Sequence, residues 1–167
     1  NITEVITQML YPYIVSLCNF DEMSEEDLFL FIRLFKLAAA TAHHPAIQLE
    51  NYIDRGKRIK KYFGDLRVTL SKLLHALWTK FDIYRMLLMP EVMQHIIALS
   101  NNAEPTLRQF ALTTYLYFMQ TEFDIESDRF PKFEVTSIQA LESYSKTLAW
   151  NPEALKTWFD KEYVFLN

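Results

Sequence analysis

Apolar side chains recur along this sequence at steps of three and four, the period of helices that bury one face. Ile2, Val5, Ile6, Met9, Leu10, Tyr13, Ile14 and Leu17 predict a helix over Ile2 to Asn19. Pro12 should kink or divide it, because proline lacks an amide donor and crowds the preceding turn. Ser24 stands as an N-cap before Glu25, Glu26 and Asp27, acids suited to the positive end of a helix dipole. The helix they open is expected to reach about Ala42. Its apolar set of Leu28, Phe31, Ile32, Phe35, Leu37 and Ala38 is broad enough for burial on more than one side, and His43, His44 and Pro45 end it.

A short helical turn is expected over Ala46 to Tyr52. Asp54 then reads as the cap of a basic helix reaching Tyr62, with Gly64 beyond its end in the left-handed position that glycine tolerates. Asp65 caps the next helix, whose apolar stripe of Leu66, Leu70, Leu73, Leu74, Leu77, Trp78 and Phe81 is the most regular in the chain. Pro90-Glu91 has the form of a helix start and is followed by Met93, Ile96, Ile97 and Leu99, with Asn101-Asn102 as the stop. Pro105 opens a longer helix that should end near Asp124. Pro131 opens another with Ile138, Leu141 and Tyr144 on one face, and Asn151-Pro152-Glu153 launches a last one through Leu155, Trp158 and Phe159.

No stretch alternates with period two between turn signals, so strands are not expected. The fold class is all-α: antiparallel helix pairs stacked as an armadillo/HEAT-like helical repeat or an irregular bundle. The helix starts at Asp65 and Pro105 lie 40 residues apart, a spacing that suits such units. Both terminal helices are rich in large apolar residues, where a free-standing stack needs polar ends. Together with a first residue, Asn1, that is not Met, this points to a single helical segment, 1–167, excised from a larger multidomain protein.

Composition narrows the chemistry. Half of the 167 residues are hydrophobic, enough for a sizeable core and too many for a disordered chain. A net charge of -4 argues against nucleic acid as the partner. One cysteine, Cys18, rules out an internal disulfide and fits a cytoplasmic, reducing setting. No apolar run approaches the ~18 residues that span a bilayer. With only Gly56 and Gly64, neither a P-loop nor a dinucleotide fingerprint can be built.

No catalytic, cofactor-binding or metal-ligating residue emerges. His43 and His44 point apart at a helix end while His75 and His95 stand alone, without the grouped spacing that zinc requires. Asp124, Glu126 and Asp128 begin like a calcium loop, but its sixth and twelfth positions hold Arg129 and Val135. Cys18 has no neighbouring base to activate it. The strongest charge feature is Arg55, Lys57, Arg58, Lys60 and Lys61. This run is either a solvated helix face or a surface for acidic lipid headgroups or an acidic partner, and it is read as lacking flanking aromatic anchors.

An ordered series of motifs adds a family. Ile47-Gln48-Leu49-Glu50-Asn51-Tyr52, then Lys57-Arg58, then Tyr62-Phe63-Gly64-Asp65-Leu66-Arg67 resemble the dedicator-of-cytokinesis (DOCK) proteins in the helical region just before their catalytic second homology region. The likeness continues through Leu77-Trp78, Met89-Pro90-Glu91, Leu107-Arg108 and Met119-Gln120-Thr121-Glu122-Phe123. It covers roughly Leu28 to Leu141 and is closest to the Rac-activating, ELMO-binding members.

The resemblance implies a non-catalytic, armadillo-like scaffold within a guanine nucleotide exchange factor for Rho-family GTPases. It would connect a lipid-binding region to the exchange domain in cytoskeletal signalling. The parent would be cytoplasmic and recruited to the membrane periphery. No residue here matches the family's nucleotide-displacing one. Rac-type GTPase and ELMO would be met by other parts of the parent, and this segment would touch neighbouring domains of its own chain. Within the matched motifs, Glu50 and Asn51 are placed to cap or bridge to the basic helix. Two rival readings remain: a free-standing HEAT-like adaptor taking helices or peptides in an aromatic-lined groove, and a helical enzyme assembled from scattered acids and histidines.

Overall fold

Residues 5–17, 24–81, 84–126 and 129–147 are described in this structure, a computed structural model. Among them every regular element is helical. A π-helical stretch, Val5–Leu10, runs into α1 (Tyr11–Leu17), so the break falls beside Pro12, where the missing amide leaves the ladder weakest. The long helices are α2 (Glu25–His43), α4 (Leu66–Phe81), α5 (Arg85–Ser100), α6 (Pro105–Ile125) and α7 (Pro131–Thr147). Between α2 and α4 the chain makes two 3₁₀ turns, Pro45–Ile47 and Leu49–Asn51, and then the short α3 (Ile53–Phe63). The helix expected from Asn151, and Cys18, lie outside the described residues.

Several ends form as their residues dictate. Ser24 caps α2 in a reciprocal box: its Oγ accepts from the Asp27 amide at 3.1 Å, and the Asp27 carboxylate accepts from the Ser24 amide at 3.2 Å. Asp65 caps α4 by accepting from the Arg67 amide at 3.0 Å. Pro105 occupies the first turn of α6, behind a Glu104 cap whose carboxylate accepts from the Leu107 amide at 2.9 Å.

Three expectations are corrected. Pro90 does not open a helix; α5 begins at Arg85 and carries Pro90 in its interior. Proline there costs about 3 kcal/mol, but burying Leu88, Met89, Val92 and Met93 on either side offsets it at about 1.5–3 kcal/mol each. Asp54 does not cap α3; it lies in the first turn, and the capping position is Tyr52, which makes no side-chain cap bond. The buried face of α7 is Phe133, Ser137, Ala140 and Tyr144, spaced i, i+4, i+7 and i+11, whereas Ile138 is exposed.

The core forms where α2 packs on both α4 and α5, and α6 closes against those two; α7 covers the far side of α5. α5 is buried nearly all round, through Leu88, Met89, Val92, Met93, Ile96, Ile97 and Leu99. Aromatic edges lock the neighbours together. Phe31 of α2 meets Phe81 of α4 at 5.4 Å, Trp78 of α4 meets Phe118 and Tyr117 of α6 at 5.2 and 5.4 Å, and Tyr115 of α6 meets Phe133 of α7 at 4.7 Å. Such edge-to-face pairs each add about 0.5–1.5 kcal/mol beyond the area they bury.

Candidate functional site

Where the C-terminus of α2 meets the N-termini of α4 and α6, unpaired backbone carbonyls and amides converge and must find partners. The partners are side chains from the motif series and from the turn before α6. Gln48 donates to the Ala42 and His44 carbonyls at 3.0 and 3.2 Å, and Asn102 donates to the same Ala42 carbonyl at 3.2 Å.

Arg67 sits at the centre, only 4% exposed. Its Nε and Nη2 donate to the two oxygens of Asp65 at 3.0 and 2.8 Å. Its Nη1 reaches Glu50 at 2.9 and 3.1 Å and the Gln48 side-chain oxygen at 2.9 Å. Asn102 then links this cluster to the α6 cap by accepting from the Glu104 amide at 3.0 Å.

The electrostatics follow from this packing. Burial alone would raise the Asp65 pKa, but the hydrogen bonds and charge of Arg67 outweigh it and hold the carboxyl below its ordinary value. Burial likewise opposes the charge on Arg67, yet Asp65 and then Glu50 hold its pKa above the usual one. The expected link from Glu50 to the basic helix is therefore corrected: its carboxylate turns inward to Arg67.

Other motif residues make the same kind of tie. Buried Glu122 accepts from the Lys132 and Phe133 amides and so fixes the start of α7 on the end of α6. Glu91 of α5 is hydrogen-bonded and ion-paired to Lys36 of α2.

The five cations Arg55, Lys57, Arg58, Lys60 and Lys61 are all exposed on α3. This helix rests on the 3₁₀ turn Leu49–Asn51, and Gly56 is what lets it approach. A Cβ built at Gly56 would stand 2.2 Å from the Leu49 carbonyl oxygen. Aromatic and apolar neighbours are present after all, because Tyr62 is 71% and Ile53 76% exposed. Gly64 ends the helix at φ 75°, ψ -176°, a region essentially reserved for glycine.

The histidines are not brought into one acid–base constellation. His43 and His95 are both held below the ordinary histidine pKa, His43 by burial, His95 by burial and then by Lys36 and His43. His75 lines an open cleft of about 420 Å³ between α4 and α6, with no carboxylate in its wall. The aromatics of that cleft, Trp78 and Phe110, are buried in packing, and its open side is Lys72, Thr106, Gln109 and Thr113. Among the described residues no group of three His, Cys, Asp or Glu side chains is arranged to hold a metal. None of their helices is long and apolar enough to cross a membrane.

Reading the sequence missed the roles of Arg67, Asn102, Glu104 and Gly56. Two signals were available: an acid directly before Pro105, and a lone glycine inside an otherwise bulky helix. Arg67 gave none, since only the fold brings Gln48 and Asn102 to it.

No solved structure matches this chain. A family model described as the Dedicator of cytokinesis (DOCK) TPR region does match, over residues 4–149, a span that contains every tie described above; the chain belongs to the DOCK family and forms its helical TPR region.

Proposed function

We propose that this chain is a non-catalytic helical scaffold of a DOCK-type guanine nucleotide exchange factor, holding a membrane-binding domain and an exchange domain at a fixed separation. The observation that carries the reading is where the motif residues are spent. Gln48, Glu50, Arg67, Glu91 and Glu122 join one helix, or one turn, to another, and Asp65 holds the Arg67 guanidinium in place for its share. Ties of that kind stiffen a stack, and stiffness is what a spacer between domains needs. The GTPase in this reading is of the Rac type. It and ELMO meet other parts of the parent protein, which works in the cytoplasm and at the membrane periphery, while this segment contacts neighbouring domains of its own chain.

The test compares nucleotide exchange on Rac by the full parent with that of a version lacking this segment, in solution and on liposomes. A scaffold predicts near-normal exchange in solution and a marked loss on liposomes. Equal loss in both settings, or no loss in either, would refute it.

A further inference from the structure

We infer that the outer face of α3 is a docking surface for an anionic membrane, independent of the scaffold reading above. Over Ile53–Phe63 the helix carries five cations and one acid, a net charge of +4 in a chain whose total is -4. At 100° per residue, Gly56 and Ile59 share the face that rests on the protein, while Lys57, Arg58 and Lys61 share the opposite one. Among the described residues no carboxylate forms an ion pair with any of the five.

This arrangement is costly to an isolated molecule. The pairs Arg55–Arg58, Lys57–Lys60, Lys57–Lys61 and Arg58–Lys61 stand three or four residues apart, where like charges repel along a helix. α3 also has a glycine in its interior and no side-chain N-cap bond. Asp54 in the first turn and Lys60 and Lys61 in the last suit the helix dipole, but one acid against five cations leaves a net repulsion that an opposing negative surface would relieve.

The geometry selects the kind of surface. The cations stand along a helix about 16 Å long; the recess that Lys57 and Lys60 line beside the Leu49–Asn51 turn is shared with Glu50, Asp65 and Glu104, whose carboxylates would repel an acidic peptide. A flat, diffuse array of headgroups can meet all of the cations together. Tyr62 and Ile53 lie at opposite ends of the same helix, 71% and 76% exposed. Lys61 Nζ sits 5.5 Å from the Tyr62 ring centroid, which places an amphipathic ring next to charge, as at a membrane interface.

The experiment is sedimentation of the intact chain with phosphatidylserine-containing vesicles and with pure phosphatidylcholine vesicles, at low and high salt. Binding should need the anionic lipid and weaken with salt. Combined Lys57→Glu, Arg58→Glu and Lys61→Glu should lower the partition coefficient by at least about a hundredfold, about fivefold for each cation lost, with the repulsion of each new acid adding to it. The same number of reversals at Lys72, Lys132 and Lys146 should change it far less. Circular dichroism establishes that each variant keeps its helices. Independently of any variant, amide exchange over residues 53–63 should slow when vesicles are added. Absence of binding, indifference to the α3 reversals, unchanged exchange in α3, or tighter binding to polyglutamate than to the vesicles would each overturn the inference, the last in favour of an acidic protein partner.

Discussion

Replacing Arg67 with methionine tests the polar junction most directly, because it removes the charge while keeping much of the side-chain volume. Asp65 would be left with a side chain only 3% exposed, retaining the Arg67 backbone amide as donor but losing both guanidinium bonds. Breaking a buried pair by removing one partner costs about 3–5 kcal/mol, since the remaining charge stays desolvated. Glu50 contributes little to that figure, as its side chain is 42% exposed and water can replace the guanidinium. For a chain of this length each kcal/mol moves the melting temperature by about 2–4 °C, so the midpoint should fall by roughly 10 °C.

Acid titration of the same variant gives a signature that a merely loosened core would lack. In the wild type the Asp65 carboxyl is held below its ordinary pKa. The folded state therefore binds fewer protons than the unfolded one, and that stability, present above about pH 4, is lost as pH falls through the folded pKa. Without Arg67 the buried carboxyl should titrate above its unfolded value. Protonation would then favour the folded state, and the gap between variant and wild type should narrow on acidification. Chemical denaturation of both proteins from neutral to acidic pH measures this. A variant within about 1 kcal/mol of wild type, with a parallel pH profile, would refute the assignment of Arg67 as the centre of the junction.

Gly56→Ala should release α3, because the added Cβ meets the Leu49 backbone oxygen; a cost of about 1–3 kcal/mol is expected, with faster amide exchange confined to residues 49–63. Gly64→Ala should cost a similar amount, about 1–3 kcal/mol, for a different reason: nothing lies within 4 Å of its Cβ, so the penalty is the backbone conformation alone, and Gly64→Asn should cost about as much, since at ψ -176° the left-handed helical well that asparagine tolerates is not the one occupied. His43 and His95 are both held below the ordinary histidine pKa. The unfolded chain thus takes up protons first, and stability should decline as pH falls below about 6.5; His43→Gln with His95→Gln should flatten that limb in thermal melts.

The helices were legible in the sequence because one-sided burial leaves a period, and the stripe from Leu70 to Phe81 is buried as its spacing implies. Caps were legible where donor and acceptor lie three residues apart, as in Ser24 and Asp27. What failed was local preference against tertiary packing. Pro90 looks like a helix start in its own window, yet apolar residues on both sides of it are needed by the core. On α7, Ile138 is more apolar than Ala140, yet Ala140 is the one covered, because the position of α5 and α6 decides it. The basic run was legible as charge but not as a surface. The exposure of Tyr62 and Ile53 depends on how Gly56 seats the helix.

The motif series and the core follow different rules, and the difference explains why the recognisable residues are mostly not the buried apolar ones. A position such as Leu74 or Ile97 asks for volume and apolarity, which several residues supply at a cost of about 1.5 kcal/mol or less. The junction asks for more. Gln48 must accept from Arg67 while donating to two carbonyls at the end of α2. Asp65 must cap α4 and hold a guanidinium at two oxygens. Lysine could not replace Arg67, having no planar fork to engage Asp65 and Glu50 together. A series such as Gln-x-Glu followed by Gly-Asp-x-Arg therefore marks the corner where three helix ends must be closed at once, and it identifies the fold through geometry rather than through any reaction.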